Sequence, residues 1–325
     1  SYLLMKIKLN LFLIFCLCLT QSVAQNSSVI SFDSFEITNP SYVGLYDVSH
    51  ISVDTKQSFD LFDKSSNNSS LYGAIYFENL NFFIAYSAST YNFSEVGISQ
   101  NNLSLSYVYR LQLSETNYLY PNVSVNYYSP GQLSNLLFED QILFGGISSD
   151  ILASNYNQKQ YFDVNAGLMF RSLSLIGALS INNLLKAKIT DDVESQAKKL
   201  KRTIDINLGY QRELIRNTLG IAIIGSYYYR PSMTNQYNFS EFRLDQIFSF
   251  DIGLEIGVFQ EFFSNSFSSD MKSIGANAKI KFPRFNVGVN YKASQSKEVQ
   301  NLDNYLGVFL RFNFKESTLE NLFKW

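Results

Sequence analysis

Apolar and polar residues alternate with a period of two through most of this chain. Leu103, Leu105, Tyr107, Tyr109, Leu111 and Leu113 are apolar, whereas Ser104, Ser106, Arg110, Gln112 and Ser114 between them are polar. Successive side chains of a strand point to opposite faces, so the pattern predicts a strand with one apolar face. It recurs in Phe162, Val164, Ala166, Leu168 and Phe170, in Ile204, Ile206, Leu208 and Tyr210, and in Leu306, Val308, Leu310, Phe312 and Phe314. The longest run, 242–258, puts Phe248, Phe250, Ile252, Leu254, Ile256 and Val258 on one face and Ser249, Asp251, Gly253 and Glu255 on the other, and it reads as one strand. About fourteen such segments are predicted, near 43–57, 70–78, 81–89, 101–113, 117–129, 160–170, 173–183, 202–212, 218–229, 242–258, 261–267, 273–282, 284–295 and 302–314. Most are close to the roughly 9 to 11 residues that cross a bilayer when tilted.

The connections carry a second, independent signal. Arg171-Ser172, Pro283-Arg284, 213–217 and 114–116 are short, and the links between them, 130–159, 184–201, 230–241, 268–272 and 296–301, are longer. Bacterial outer-membrane barrels alternate short periplasmic turns with longer extracellular loops, and an even strand number brings both termini to one side. Hydrocarbon offers no partner to backbone N–H and C=O groups, so a spanning sheet must close on itself. The expected fold is all-β: a transmembrane antiparallel up-and-down β-barrel with a lipid-facing apolar surface and a lumen lined by Asn, Ser, Gly and isolated charges. A secreted β-sandwich would alternate in the same way around a shared core, but strand length and aromatic load favour the barrel. A propeller would repeat, and no repeat is visible.

Composition sharpens the picture. Aromatic residues make up 16% of the 325 residues, with 28 Phe and 22 Tyr, yet the mean hydropathy is only −0.06, so the apolar residues must be interleaved with polar ones. Charges nearly balance, 26 Lys+Arg against 28 Asp+Glu, which argues against a nucleic-acid partner. At the start, Met5-Lys6-Ile7-Lys8, the apolar run 9–19 and Ser22-Val23-Ala24 read as a signal peptide cut after Ala24. Both cysteines, Cys16 and Cys18, fall inside it behind Phe15 and Leu17, so neither a lipid anchor nor a thiolate metal site is expected. Residues 1–24 are therefore assigned to the removed signal, 25–42 to a periplasmic N-terminal segment, 43–314 to the barrel and 315–325 to a periplasmic tail. Whether 25–42 plugs the lumen is left open by the sequence.

Catalytic and metal chemistry find little footing, and no cofactor or metal is expected. His50 is the one histidine. His50 and Ser52, two apart on one strand face, could form the nucleophilic pair that outer-membrane phospholipases use, but no orienting third residue is in view. They read as lumen lining, and the chain as no enzyme. Asp251 and Glu255, four apart on the predicted strand, would be about 13 Å apart, too far for a glycosidase carboxylate pair. Lys198, Lys199, Lys201 and Arg202 read as a solvated loop rim, or as a contact for anionic lipopolysaccharide or a partner. Tyr127, Tyr128, Tyr227, Tyr228 and Tyr229 fit an interfacial aromatic girdle, or an outer rim that meets a partner.

Asn39-Pro40-Ser41-Tyr42-Val43-Gly44 ahead of the first strand and Tyr107-Val108-Tyr109-Arg110-Leu111 within a later one resemble the N-terminal Asn-Pro element and the Tyr-Ala-Tyr-Arg-Leu strand of one family, the PorP/SprF-like outer-membrane proteins of the type IX secretion system. Phe162 to Leu168, with Asn165 and Gly167, and Gly177 to Leu185, with Ser180, are similar to its most recognisable hairpin. The chain departs from the family pattern at Lys56-Gln57-Ser58-Phe59, where the first strand would carry Arg-x-Gln-Trp, and in its tail past Phe314. The resemblance implies a non-enzymatic barrel in the outer-membrane lipid, and counting strands from a periplasmic start, with an even number, puts both termini in the periplasm. Its implied role is to help secrete or anchor a type IX cargo protein such as an adhesin, in systems that also serve gliding motility. Implied partners are that secreted cargo and periplasmic ring components of the machine; a diffusion channel or hydrophobic-substrate transporter is the rival reading.

Overall fold

The computed structural model describes residues 35–58, 66–93, 98–130, 160–187, 200–215, 218–231, 238–264, 269–294 and 304–315. After a short helix, α1 (Phe35–Thr38), and a 3-10 helix (Pro40–Leu45), the described chain is almost entirely strand. The strands are β1 (His50–Ser58), β2 (Ser66–Phe77), β3 (Phe82–Phe93), β4 (Ile98–Tyr109), β5 (Leu111–Gln112), β6 (Tyr118–Pro130), β7 (Tyr161–Arg171) and β8 (Leu175–Asn182). They continue as β9 (Thr203–Ile215), β10 (Leu219–Pro231), β11 (Asn238–Phe250), β12 (Leu254–Ser264), β13 (Ser269–Lys281), β14 (Phe285–Ser294) and β15 (Tyr305–Asn313).

Each strand pairs antiparallel with its sequence neighbours, and β1 pairs with β15 from His50↔Asn313 to Ser58↔Tyr305, which closes the ring. β5 is β4 resumed after Arg110, since both pair with β6. The barrel therefore has fourteen staves and no free edge, as hydrocarbon demands. One end carries links of three to five residues (78–81, 113–117, 172–174, 216–218, 251–253, 282–284); the other carries the long ones, 131–160 and 183–202 among them.

Three strand predictions need correction. The first strand begins at His50, not at residue 43, because Pro40 fixes a 3-10 helix whose cap, Asn39, accepts a bond from the Ser41 N–H at 3.1 Å. The run 242–258 is most of β11, a turn at 251–253 and the start of β12, and the separate strand predicted at 261–267 begins inside β12, because 254–264 runs on as one strand once the turn falls at 251–253. Ser249 pairs with Glu255, an even offset, so alternation passes through the hairpin without a phase break. Gly253 sits at φ +79° with its α-carbon against the Lys281 carbonyl, a place only glycine fills without strain. Asp251 is thus a turn residue, not a strand-mate of Glu255, whose carboxylate lies in the lumen between Lys279 (2.7 Å) and Lys281.

The two faces divide as alternation requires. Leu103, Leu105, Val123, Val125, Leu208 and Val308 are each more than half exposed on the outside, in a band flanked by aromatic contacts. Phe77–Phe82 (4.7 Å), Phe82–Tyr107 (5.2 Å) and Phe282–Phe285 (4.3 Å) ring the short-turn end, and Tyr127–Phe162 (4.9 Å) lies toward the other. Tyr227 joins the outer face, but Tyr228 is 2% exposed and faces inward, so the consecutive tyrosines do not form one girdle. Inside, Asn lies across Gly on the neighbouring strand at Asn122↔Gly167, Asn277↔Gly257 and Asn290↔Gly307. A Cβ at any of these glycines would overlap that amide.

Candidate functional site

The N-terminal residues 35–47 sit inside the short-turn end of the barrel. Phe35, Tyr42, Val43 and Leu45 pack with Phe83, Val108, Tyr120, Met169, Ile176, Ala178, Ile224 and Ile247 into one apolar cluster, so this part of the lumen is filled like a protein core. Burying that surface holds the segment non-directionally. Polar contacts then fix its register.

The first set centres on Asn39. Its side-chain oxygen accepts from Ser41 N (3.1 Å) and Asn122 Nδ2 (2.9 Å), and its Nδ2 donates to the Leu179 carbonyl (3.3 Å). Ser41 Oγ donates to the Tyr120 carbonyl at 2.6 Å. Gly44 lies flat on the Tyr120 ring, where a Cβ would collide, and its carbonyl accepts from Arg171 at 2.5 Å.

A second set forms where the segment turns into β1. Asp47 takes a left-handed backbone, φ 48°, which Asp tolerates better than most residues. Its carboxylate meets Arg171 at 2.9 Å and Arg110 at 3.5 Å and accepts from the Tyr120 hydroxyl at 3.2 Å. Arg110, at the break between β4 and β5, also donates to the Tyr76 hydroxyl (2.7 Å) and lies 4.5 Å from the Tyr118 ring centre.

The third set is the most buried. Glu36 in α1 accepts from Arg311 Nη2 at 2.5 Å and meets His50 Nε2 at 2.7 Å. Arg311 is completely buried, donates through Nε to Ser52 Oγ (2.9 Å) and covers the Tyr46 ring at 3.8 Å. Burial alone would raise the Glu36 pKa; the charges of Arg311 and His50 outweigh it and hold the carboxyl below its ordinary value. His50 Nδ1 donates to the Val48 carbonyl at 3.1 Å, so both ring nitrogens are engaged and Ser52 answers to Arg311 rather than to His50.

Of the motif positions, Asn39, Pro40, Tyr42, Gly44, Gly167 and Arg110 converge on this seat. Ser180 pairs with Gly167 and donates to Asp205 (3.2 Å), and Asn165 accepts from Asn183 N (3.0 Å), both on the lumen wall above it. Tyr107 and Tyr109 point outward, 48% and 39% exposed, and Gly177 lies on the outer face beside Leu208. Lys201 and Arg202 border the 183–202 link, where Asn183 donates to the Lys201 carbonyl (3.1 Å); Lys198 and Lys199 lie outside the described residues, as do the signal peptide, both cysteines and 316–325. Glu36, Asp47, Tyr120, Asn122, Arg171 and Arg311 are functional candidates that the sequence reading did not single out. Strand parity marks Arg311, Arg171 and Asn122 as inward, but nothing local pairs them with a segment that precedes the barrel.

The sequence profile described as type IX secretion system membrane protein PorP/SprF matches residues 32–319. The chain belongs to this family. As a PorP/SprF protein it is a type IX secretion protein of the outer membrane. No curated protein matches it in sequence. Among solved structures it is similar to the CymD monoaromatic hydrocarbon channel, with TM-score 0.52 and 11% identity over 92% of this chain and 98% of that one. A TodX deltaS2S3 mutant monoaromatic hydrocarbon channel matches with TM-score 0.52 and 9% identity over the same shares. At such identity the likeness is one of fold.

The glycines of this PorP/SprF chain separate into two kinds, which gives a direct test. A Cβ on Gly167 would stand 2.7 Å from Asn39 Oδ1 and nearer still to the Asn122 amide, whereas one on Gly177 would only touch a Leu208 methyl at 3.6 Å. Gly167→Ala is expected to loosen the seated segment by about 1–3 kcal/mol, read as faster protease cleavage within 35–47, and Gly177→Ala to leave cleavage unchanged. Equal protection in the two variants would remove Gly167 from the seat.

Proposed function

We propose that this barrel helps to secrete or anchor a type IX cargo protein, such as a large adhesin, at the cell surface. In this reading both termini face the periplasm, the long loops face outward and meet the cargo, and the short-turn end faces the periplasmic ring components. Family membership supports it, and so does the alternation of short and long links. The observation that carries it is the seated segment 35–47: a barrel whose lumen is packed at one end offers a rigid platform for its loops rather than a free diffusion path.

The test is affinity purification of the full chain from native membranes with mass spectrometry, beside planar-bilayer recordings of the same preparation. The expected outcome is stoichiometric recovery of a secreted protein with little conductance. Steady conductance or solute uptake without a recovered secreted protein would replace this reading with a diffusion channel or transporter.

A further inference from the structure

On the lipid-facing side of β11 and β12 two side chains break the apolar band. Gln246 and Gln260 belong to the outward set, because the residues on either side of each, Asp245 and Ile247, Phe259 and Glu261, are buried in the lumen wall. Gln246 has Phe248 and Phe250 toward the short-turn end and Leu244 and Phe242 toward the other; Gln260 has Val258 and Ile256 on one side and Phe262 on the other. Both amides therefore lie at the depth of hydrocarbon, not at a rim. Leu244↔Gln260 and Gln246↔Val258 are paired, so the two amides are diagonal neighbours on adjacent strands. Neither makes a side-chain hydrogen bond to another described residue.

Lipid tails cannot satisfy an amide, so each of these groups requires a partner or carries a penalty in the bilayer. The outward residues paired directly with them are Ile223 on β10 and Ile274 on β13, but the diagonal outward positions, Gly225 on β10 and Ala276 on β13, are small and leave room beside each amide for another wall. An amide is both donor and acceptor, and a pair of them is self-complementary about a two-fold axis. We propose that the β10–β13 outer face is the interface for a second copy of this chain, Gln246 of one copy bonding Gln260 of the other within the membrane.

The experiment introduces Val258→Cys, an outward site between the two glutamines, into the full chain and crosslinks intact outer membranes with a short bis-maleimide. Val308→Cys, outward on β15, serves as the distant control. The expected result is a product of twice the mass that contains this chain alone, given by Val258→Cys and not by Val308→Cys. It should be lost when Gln246→Leu and Gln260→Leu are added. Leucine suits lipid, so the double variant should keep its heat-modifiable migration, which separates loss of the interface from loss of folding. Absence of the doubled product, a product containing a different protein, or one indifferent to both glutamines would overturn the proposal.

Discussion

Replacing Arg311 with leucine is expected to release residues 35–47 from the lumen while the barrel wall stays intact. The guanidinium joins Glu36, Ser52 and the Tyr46 ring, contacts made entirely by side chains, so the β1–β15 backbone ladder does not depend on it. Its removal leaves the Glu36 carboxylate buried beside His50 alone, and breaking a buried pair in this way costs about 3–5 kcal/mol. Protease cleavage within 35–47 and a rise in single-channel conductance are the measurements, with unchanged strand content as the control. Retained protection would show that the apolar cluster suffices without the latch. Acid supplies a second handle on the same group. Because the folded pKa of Glu36 lies below its unfolded value, its contribution is complete above the ordinary carboxylate range and fades only as pH falls through the depressed value. The segment should therefore stay seated near pH ~5 and loosen only as pH falls below the range of a free carboxylate, about pH 4. Glu36→Gln should lack that acid step.

The second large effect lies higher in the lumen. Arg243 binds Asp245 through two bonds (2.8 and 2.6 Å), reaches Glu261 at 3.3 Å and stacks 3.9 Å above Phe259; Glu261 also holds Lys292 at 2.7 Å and accepts from Ser273 at 2.6 Å. All these charged groups are almost fully buried. Arg243→Met strands Asp245 without a cation and should cost about 3–5 kcal/mol, seen as a lower temperature for loss of heat-modifiable migration. Arg243→Met with Asp245→Leu leaves the Glu261–Lys292 pair in place and should recover much of the loss, because replacing both partners removes the stranded charge. If the double variant is no better than the single one, the penalty is not that of an uncompensated carboxylate.

The glycines explain why these networks fit. Phe259 can lie under Arg243 only because Gly275 beside it has no Cβ, and Asn122 can reach Asn39 only because Gly167 leaves room. Small residues on the inner face thus mark where a larger neighbour crosses, which is why Gly167 belongs with the seat and Gly177, on the outer face, does not.

Alternation alone determined a great deal about this protein. A period of two assigns each strand residue to lipid or lumen from local sequence, and turn lengths orient the hairpins, so the closed fourteen-strand barrel and its polar interior were legible before any coordinates. The turn at 251–253 was not, since an even pairing offset preserves parity across it and only the length of the run, well beyond one bilayer crossing, gave a hint. Tertiary structure alone decided where the segment before β1 goes and what holds it. Glu36 and Arg311 stand 275 residues apart, and no periodicity connects them. They meet because closure of the ring sets Arg311 of β15 beside Ser52 of β1, and the seating of α1 in the lumen lays Glu36 against it, which turns two isolated charges into one buried pair.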